Sequence, residues 1–142
     1  MKVDYLRLKS GDPVPKDDFP QRHKTLLIIE DAADMDWQHA LSSWIARSGC
    51  LYFMAWGEGC SSWDDSVDIA NLEMYDFGDI PEENQIMTTW HDDEPLEEVF
   101  WFAKNCAEHS SGALEDILLL HVGAEDRKAE FVKLYRDTED DF

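Results

Sequence analysis

The sequence predicts an α/β fold, a three-layer sandwich in which a small, mostly parallel sheet of about four to five strands carries helices on both faces. Two observations lead to this prediction. Short apolar runs alternate along the chain with amphipathic stretches of helical length. The apolar runs are also hydrophobic at nearly every position, as in strands that are buried on both faces.

The first 24 residues predict a strand followed by an arm. Hydrophobic and polar residues alternate in VDYLRL, from Val3 to Leu8, as in a short edge strand. The connection that follows is rich in Pro, Asp and Lys and contains Pro13, Pro15 and Pro20. We expect it to be an extended arm over the surface and not a linker to another domain.

The first strand–helix unit spans residues 25–49. Residues 25–29, TLLII, form a continuous apolar run and predict a buried strand. A helix is predicted to begin at Asp34 or Asp36 and to stop before Gly49. Its apolar residues recur at helical spacing on one face: Trp37, Ala40, Leu41, Trp44 and Ile45.

The second unit has the same form. Residues 51–56, LYFMAW, predict another buried strand, and a Gly-containing turn follows over residues 57–60. Ser61 or Ser62 is predicted to cap the next helix. One side of that helix is predicted to be buried and carries Trp63, Val67, Ala70 and Met74.

The third unit contains the most amphipathic stretch of the chain. After a loop over residues 77–85, residues 86–90 predict a strand, and a helix is predicted from Pro95 to about His109. Three acids precede the helix, where the N–H groups of a first turn lack partners: Asp92, Asp93 and Glu94. The buried helical face is predicted to carry Leu96, Val99, Phe100 and Ala103.

The last unit completes the predicted sheet. Ile117–Val122, ILLLHV, predicts a strand, and a helix is expected from about Glu125 to Arg136. Residues 137–142 form an acidic tail that is expected to fray. Four strands in series and an N-terminal edge strand give a doubly wound domain of the flavodoxin-like or Rossmann-like kind, and one domain accounts for residues 1–142.

The chain is strongly acidic, and its charge is unevenly distributed. It contains 32 Asp and Glu against 12 Lys and Arg, for a net charge of −20. Residues 25–103 include eighteen acids, and Arg47 is the only Lys or Arg among them. Such a surface repels nucleic acid and anionic membranes and attracts cationic partners. We therefore expect a basic protein partner and no direct binding of nucleic acid or membrane, with solubility or a high-salt habitat as the alternative explanation.

Cysteine usage and hydropathy suggest a compartment. Cys50, Cys60 and Cys106 match no zinc or redox spacing, and no cofactor is predicted. The N-terminus is too charged for a signal peptide, and no apolar run approaches the roughly 18 residues of a membrane span. The expected location is therefore cytoplasmic. The sequence specifies no oligomeric state.

Candidate binding residues follow from the predicted topology. The carboxyl ends of parallel strands meet at one edge of a sheet, where ligands bind in open α/β folds. The turns after the second and third buried strands supply the candidates: Trp56, Glu58, Trp63, Asp64, Asp65, Trp90, His91, Asp92 and Asp93. Aromatic rings among carboxylates suit an Arg or Lys side chain, although these rings also fit the rim of the core.

No catalytic group is predicted on the favoured interpretation. In the alternative, His91 acts as an acid or base beside Asp92, or Cys60 acts as a nucleophile at a helix start, where neighbouring acids oppose thiolate formation. A divalent cation is a further alternative, with ligands from Glu30, Asp31 and Asp92, joined by His91 and His121. His121 lies inside an apolar run and fits a hydrogen-bonded core histidine better.

Two motifs carry a family resemblance. CLYFMAWGEGCSSWDDS and MTTWHDDEPLEEVFWFAKNCA look like an uncharacterised bacterial domain family of about this length, and the resemblance covers most of the chain. It implies that the turns at residues 56–65 and 89–95 are the family's signature, and it implies no activity. LLIIEDAADMDWQHALSSWIARSG also resembles the opening of a response-regulator receiver, but later strand ends offer Trp56, Trp90 and His121 and lack the required Lys, which excludes that family.

Two functional hypotheses result. The favoured one is an acidic protein-interaction module that binds a basic partner, as immunity-like or inhibitor-like neutralising proteins do. The alternative is a small enzyme, or a domain that binds a divalent cation or another ligand, with its site at the strand carboxyl ends around His91. The first is preferred because the charge asymmetry needs an explanation, whereas no nucleophile–base pair stands out; enzymatic activity is left open.

Overall fold

The computed structural model describes residues 2–16 and 22–138, which form five strands and four α-helices. The strands are β1 (Val3–Leu8), β2 (His23–Ile29), β3 (Cys50–Gly57), β4 (Met87–His91) and β5 (Ile117–Val122). The helices are α1 (Met35–Arg47), α2 (Cys60–Glu73), α3 (Leu96–Asn105) and α4 (Lys128–Asp137), and a short 3₁₀ helix (Glu82–Asn84) precedes β4. In this part of the chain no helix has the length and apolarity needed to cross a membrane.

All five strands are parallel, in the order β1-β5-β2-β3-β4. This confirms the predicted α/β sandwich. From β2 the chain steps sideways through α1 to β3 and through α2 to β4. It then returns through α3 and inserts β5 between β1 and β2, so that β1 and β4 form the two edges of the sheet.

Each face of the sheet has its own core. Alternate residues of β2 point to opposite faces, so Leu27 packs with α1 and α2 while Leu26 packs with α3 and α4. Both side chains are fully buried. This two-sided burial is why the central strands are apolar at nearly every position.

The start of α2 differs from the prediction. The helix begins at Cys60 behind Gly59, which has a φ of 67°, and no side chain caps it, so the predicted cap at Ser61 or Ser62 is wrong. β3 ends at Gly57, which passes so close to β2 that a Cβ would lie 2.1 Å from the carbonyl oxygen of Ile29. The chain therefore turns immediately after the strand, and the helix starts earlier than a serine cap would place it.

The end of α2 also differs. Met74 was predicted on the buried side but is 46% exposed, because it follows the last helical residue. The other predicted apolar residues of this helix face the core: Trp63, Val67 and Ala70.

The limits of α3 are narrower than predicted. No side chain caps this helix, and Pro95 occupies the position before its first residue, so the preceding acids, Asp92, Asp93 and Glu94, lie before the helix without forming a cap hydrogen bond. The helix ends at Asn105 and does not reach His109. The N–H groups of residues 106 and 107 both bond to the carbonyl of Phe102, while the His109 ring contacts the carbonyl oxygen of Gln85 at 2.7 Å and draws the chain away.

The start of α4 also differs from the prediction, and the structure describes parts of the two predicted terminal segments. α4 begins at Lys128 and not at Glu125, because the Asp126 carboxylate accepts a hydrogen bond from the Lys128 N–H at 2.9 Å. In the arm, the carbonyl of Asp12 accepts a hydrogen bond from the indole N–H of Trp37 at 2.7 Å, which holds residues 9–16 against α1. Pro20 and residues 139–142 of the predicted acidic tail lie outside the described residues.

Replacing Gly57 with alanine should destabilise the fold far more than the same change at Gly59. Both glycines have positive φ, which costs a non-glycine residue about 1–2 kcal/mol. Only Gly57 adds a clash with the β2 backbone, since a Cβ at Gly59 meets nothing within 4 Å. We expect Gly57→Ala to lower the free energy of unfolding by more than about 3 kcal/mol in urea titrations. Equal losses in the two variants would contradict the close approach of β3 to β2.

Candidate functional site

The carboxyl ends of the five strands lie along one edge of the sheet, here called the strand-end rim. Because α1 and α2 cover one face and α3 and α4 the other, the loops after β2 and β5 leave in opposite directions. The loops after β3 and β4 diverge in the same way. Such divergences open crevices in α/β sheets, so the rim has a β2–β5 crevice and a β3–β4 crevice.

The β2–β5 crevice holds a connected polar network. The hydroxyl of Tyr5 lies 2.7 Å from Nδ1 of His121, and Nε2 of His121 bonds to the carboxylate of Glu30. Arg127 contacts both ends of this chain of hydrogen bonds. Its Nη1 donates to Glu30 at 2.8 Å, and its backbone N–H donates to the Tyr5 hydroxyl at 3.0 Å. Four elements that are distant in the sequence, β1, β2, β5 and the start of α4, are thereby joined.

The hydrogen-bond directions in this network follow from the Glu30 carboxylate and the Arg127 backbone. Because a carboxylate only accepts, Nε2 of His121 donates to Glu30, and because the Arg127 N–H donates to the oxygen of Tyr5, the hydroxyl proton is directed to Nδ1 of His121. His121 is fully buried with both ring nitrogens bonded, as expected for a core histidine. The pKa of the Tyr5 hydroxyl is raised above its usual value, and burial is the largest cause. A Cβ at position 123 would lie 2.5 Å from Nε2 of His121, so a residue larger than Gly123 would require this ring to shift.

The exposed end of the network borders a small acidic cavity. Glu30 and Arg127 are each 37% exposed. The cavity has a volume of about 340 Å³, and its lining residues are Glu30, Asp31, Ala124, Glu125 and Arg127. Because Glu30 is already bonded to both His121 and Arg127, the carboxylates of Asp31 and Glu125 are the ones that supply negative charge to this cavity.

The β3–β4 crevice is built around His91, which is 7% exposed. Its Nδ1 lies 3.0 Å from the carboxylate of Glu94, and its Nε2 lies 3.0 Å from the hydroxyl of Thr89. The ring packs edge-on against Phe102, with centroids 4.7 Å apart. The indole N–H of Trp56 donates to the backbone carbonyl of Glu94 at 2.7 Å. His91 is therefore positioned by Glu94, and both of its nitrogens are occupied.

Cys60 lies on the other side of His91. It is buried, and its thiol lies 3.7 Å from the carbonyl oxygen of His91. Burial raises the pKa of this thiol, and the negative charge of Asp92 raises it further. The surroundings thus favour the neutral thiol over the nucleophilic thiolate.

A cluster of three carboxylates lies on α2 beside β4. Oxygen atoms of Asp64, Asp65 and Asp68 lie within 4.8 Å of one another, which is the donor type that hard divalent cations bind. The hydroxyl of Thr88 donates to Asp68 at 2.8 Å and lies 3.4 Å from Asp64. Burial and the neighbouring charge of Asp68 raise the pKa of Asp64 to about 6. These carboxylates are not the metal ligands that the sequence suggested.

The structure divides the predicted site residues between separate places. Glu30 and Asp31 follow β2, whereas Asp92 follows β4. Two strand spacings, about 10 Å, separate these positions, and His121 is one strand further away. The suggested cation ligands are therefore not brought together at the rim.

The predicted binding residues also differ in accessibility. Trp63 is 1% exposed and packs edge-on against Trp37 with centroids 6.1 Å apart, so it belongs to the core and lines no groove. Asp64 is 8% exposed and faces Thr88. Trp90 is half exposed, and Trp56 is partly buried. The remaining predicted residues apart from His91 are exposed: Glu58, Asp65, Asp92 and Asp93.

Several residues of these sites were not found from the sequence. Tyr5 and Arg127 lie 116 and 97 positions from the side chains they contact, and no local pattern connects such residues. Asp68 carried a usable signal, because residues four apart on a helix share a face and Asp64 was already a candidate. Glu94 was interpreted as a helix-start residue, although a carboxylate three residues after His91 can reach its ring.

The sheet order separates charge in space. Residues 48–103 form β3, α2, β4 and most of α3, and they contain fourteen acids and no Lys or Arg. We call this region the acidic half. Its acids are exposed except for Asp64 and Asp68. Within residues 2–16 and 22–138, Lys2, Arg127 and Lys133 form ion pairs with acids outside this region, namely Asp4, Glu30 and Asp137.

Comparison with known proteins identifies one family. A family model described as "Domain of unknown function (DUF7684)" matches residues 3–138. No curated protein and no solved structure matches the chain.

Tyr5→Phe should weaken the fold by removing one hydroxyl from the β2–β5 network. The loss leaves Nδ1 of buried His121 and the Arg127 N–H without their partner, which costs about 1–3 kcal/mol of unfolding free energy. Tyr75→Phe is the control, because no hydrogen bond to its hydroxyl is found among the described residues. Urea unfolding of both variants measures the effect. An equal, small change in both would contradict the network.

Asp64→Asn should stabilise the protein more at high pH than at low pH. The folded state raises the pKa of Asp64 from 3.8 to about 6, so ionisation costs stability as the pH rises through this interval. The variant should gain about 1 kcal/mol more over wild type at about pH 8 than at about pH 5. Urea titrations at the two pH values measure the difference, with Asp65→Asn as the exposed neighbour control. A gain that does not depend on pH would contradict the raised pKa.

Proposed function

We propose that this chain, which belongs to the family described as a domain of unknown function (DUF7684), is an acidic protein-interaction module that binds a basic protein partner. The observation that supports the proposal is the acidic half. Residues 48–103 bring fourteen carboxylates and no Lys or Arg to one end of the sheet. A field of one sign over a continuous surface accelerates and orients the approach of a partner of opposite charge.

The binding surface is proposed to lie on the β3–β4 side of the strand-end rim. Trp90 is 50% exposed there, and Asp92 and Asp93 follow it in the next loop. An exposed indole ring beside carboxylates can stack on an Arg or Lys side chain while the acids pair with its charge. Glu58 and Asp65 extend the same charge around the start of α2.

The internal contacts of the acidic half leave its charge available. Lys104, the first base after this region, points away from it, because its ammonium group donates to the carbonyl of Thr138 at 2.6 Å beyond α4. The acids therefore repel one another in the free chain, and a cationic partner relieves this repulsion. A neutralising protein of the immunity-like or inhibitor-like kind fits this arrangement.

A cytoplasmic location is part of the proposal. Cys50, Cys60 and Cys106 are free thiols, and a reducing compartment keeps cysteines in this state.

The catalytic alternative receives less support from the geometry. A general acid or base needs a ring nitrogen that can reach a substrate, and both nitrogens of His91 are bonded to Thr89 and Glu94. Cys60 is buried with a raised pKa. Either role would require the crevice to rearrange.

Affinity capture with the purified protein from the native host, at about 0.05 M and about 0.5 M salt, tests the proposal. We expect a basic protein that is retained at low salt and lost at high salt, because salt screens exposed charges. Once this protein has been identified by mass spectrometry and purified, Asp92→Asn combined with Asp93→Asn should weaken its binding about three- to tenfold in calorimetric titration.

The matched control is Glu115→Gln combined with Glu125→Gln, which removes the same charge from exposed positions outside the acidic half. This control should change the affinity by less than about twofold. Equal losses in both double variants would indicate non-specific attraction, and retention that is independent of salt would contradict the proposal.

A further inference from the structure

We propose that the outer edge of β4 accepts an extended, basic segment of the partner as an additional strand of the sheet. This inference rests on the proposed function and specifies how the partner binds. β4 lies at the end of the strand order and pairs with β3 over all five of its residues. The backbone groups on its other side point outward from the sheet, and such an edge is a template for strand addition.

The two edges of the sheet differ in how they are protected. β1 carries charged side chains, Asp4 and Arg7, and Lys2 precedes it. Charges of this kind oppose the addition of another strand. β4 has the sequence MTTWH, with no Lys, Arg, Asp, Glu or Pro, and its register with β3 is continuous. The usual devices that block an edge are therefore found on β1 and not on β4.

Exposed apolar side chains lie on both faces of β4. Met87 is 47% exposed and Trp90 is 50% exposed. Thr88 bonds to Asp68 of α2, so Thr88 and Trp90 lie on the α2 face. His91 packs against Phe102 of α3, so Met87 and His91 lie on the α3 face. An added strand would find apolar surface on either side.

One cavity borders β4 directly, and a second lies beside two residues that contact His91 of β4, Glu94 and Phe102. The cavity on the α2 face has a volume of about 410 Å³, and its lining includes Asp68, Leu72, Ile80 and Thr88. The cavity on the α3 face has a volume of about 240 Å³ and is lined by Glu94, Glu98, Trp101 and Phe102. Each combines carboxylates with apolar side chains. Because the side chains of a strand alternate between faces, Lys or Arg can place its aliphatic stem on the apolar wall and its charge on the acids.

The negative charge of the acidic half determines which kind of strand is favoured at the outer edge of β4. A second copy of the chain would bring another acidic half to within about 5 Å, the spacing of neighbouring strands, and the two would repel. A basic segment meets carboxylates of α2 on one face and of α3 on the other. The geometry therefore favours a basic partner strand over self-association.

The test uses a peptide of about eight residues that alternates Lys and Val, titrated into the full chain at low salt. The comparison peptide has the same sequence and charge, but two adjacent central residues are N-methylated, which removes one N–H donor from each of its edges. We expect the parent peptide to bind about tenfold more tightly, since strand addition uses backbone hydrogen bonds. Amide exchange of residues 87–91 should slow in the complex, while that of β1 should not.

Two variants of the protein, each with one added charge, test whether the peptide binds at the β4 edge. Met87→Lys places a charge on the proposed edge, and Met74→Lys makes the same change at an equally exposed position, 46% against 47%, in the acidic half but outside β4. Met87→Lys should weaken the parent peptide about tenfold, and Met74→Lys by less than about threefold.

The outcomes separate this inference from the proposed function. Equal affinity for both peptides, or unchanged exchange at residues 87–91, overturns strand addition but leaves a charge-driven interaction in place. Failure of both peptides to bind also overturns the inference, whereas the proposed function is judged by the Asp92 and Asp93 variants. A dimer of the free chain that Met87→Lys dissociates would assign the edge to a second copy and overturn the basic occupant.

Discussion

The fold depends on the burial of β2 and its neighbours on both faces. Leu26, Leu27 and Ile28 are fully buried in succession, which is possible only when helices cover both sides of the sheet. Each such side chain contributes about 1.5–3 kcal/mol through removal from water. The requirement for two covering layers sends α1 and α2 to one face and α3 and α4 to the other, and the loops diverge at the strand-end rim as a result. Both crevices are therefore consequences of how the centre of the sheet is buried.

The return of the chain through α3 divides the molecule into two regions of different character. β5 enters beside β1 and β2, where His121 is enclosed and needs partners for both nitrogens, and Tyr5 and Glu30 provide them. Glu30 and Arg127 form an ion pair at this end. β3 and β4 remain on the other side, where the acids have no Lys or Arg in their own part of the sequence. One end of the sheet thus contains the histidine–carboxylate network, and the other carries acids without Lys or Arg among residues 48–103.

The elements were predictable where their cause is local. Apolar runs identified β2, β3 and β5, and helical spacing identified Leu96, Val99, Phe100 and Ala103, all of which are buried. The predicted limits of helices were wrong where a contact with a residue distant in the sequence determines them. The close approach of Gly57 to Ile29 makes α2 start earlier than predicted. The contact of the His109 ring with Gln85 makes α3 end earlier than predicted. Strand order, which determines that Glu30 lies beside His121 and far from Asp92, leaves no trace in a single sequence.

The missing side chain at Gly123 has a consequence for how such sequences can diverge. Any other residue there would place a carbon 2.5 Å from His121 and 2.8 Å from Glu30. A larger residue at position 123 would therefore force the His121 ring or the Glu30 carboxylate to move and would disrupt the bond between them. Among relatives, a residue larger than glycine at this position should therefore be accompanied by a change at His121 or Glu30.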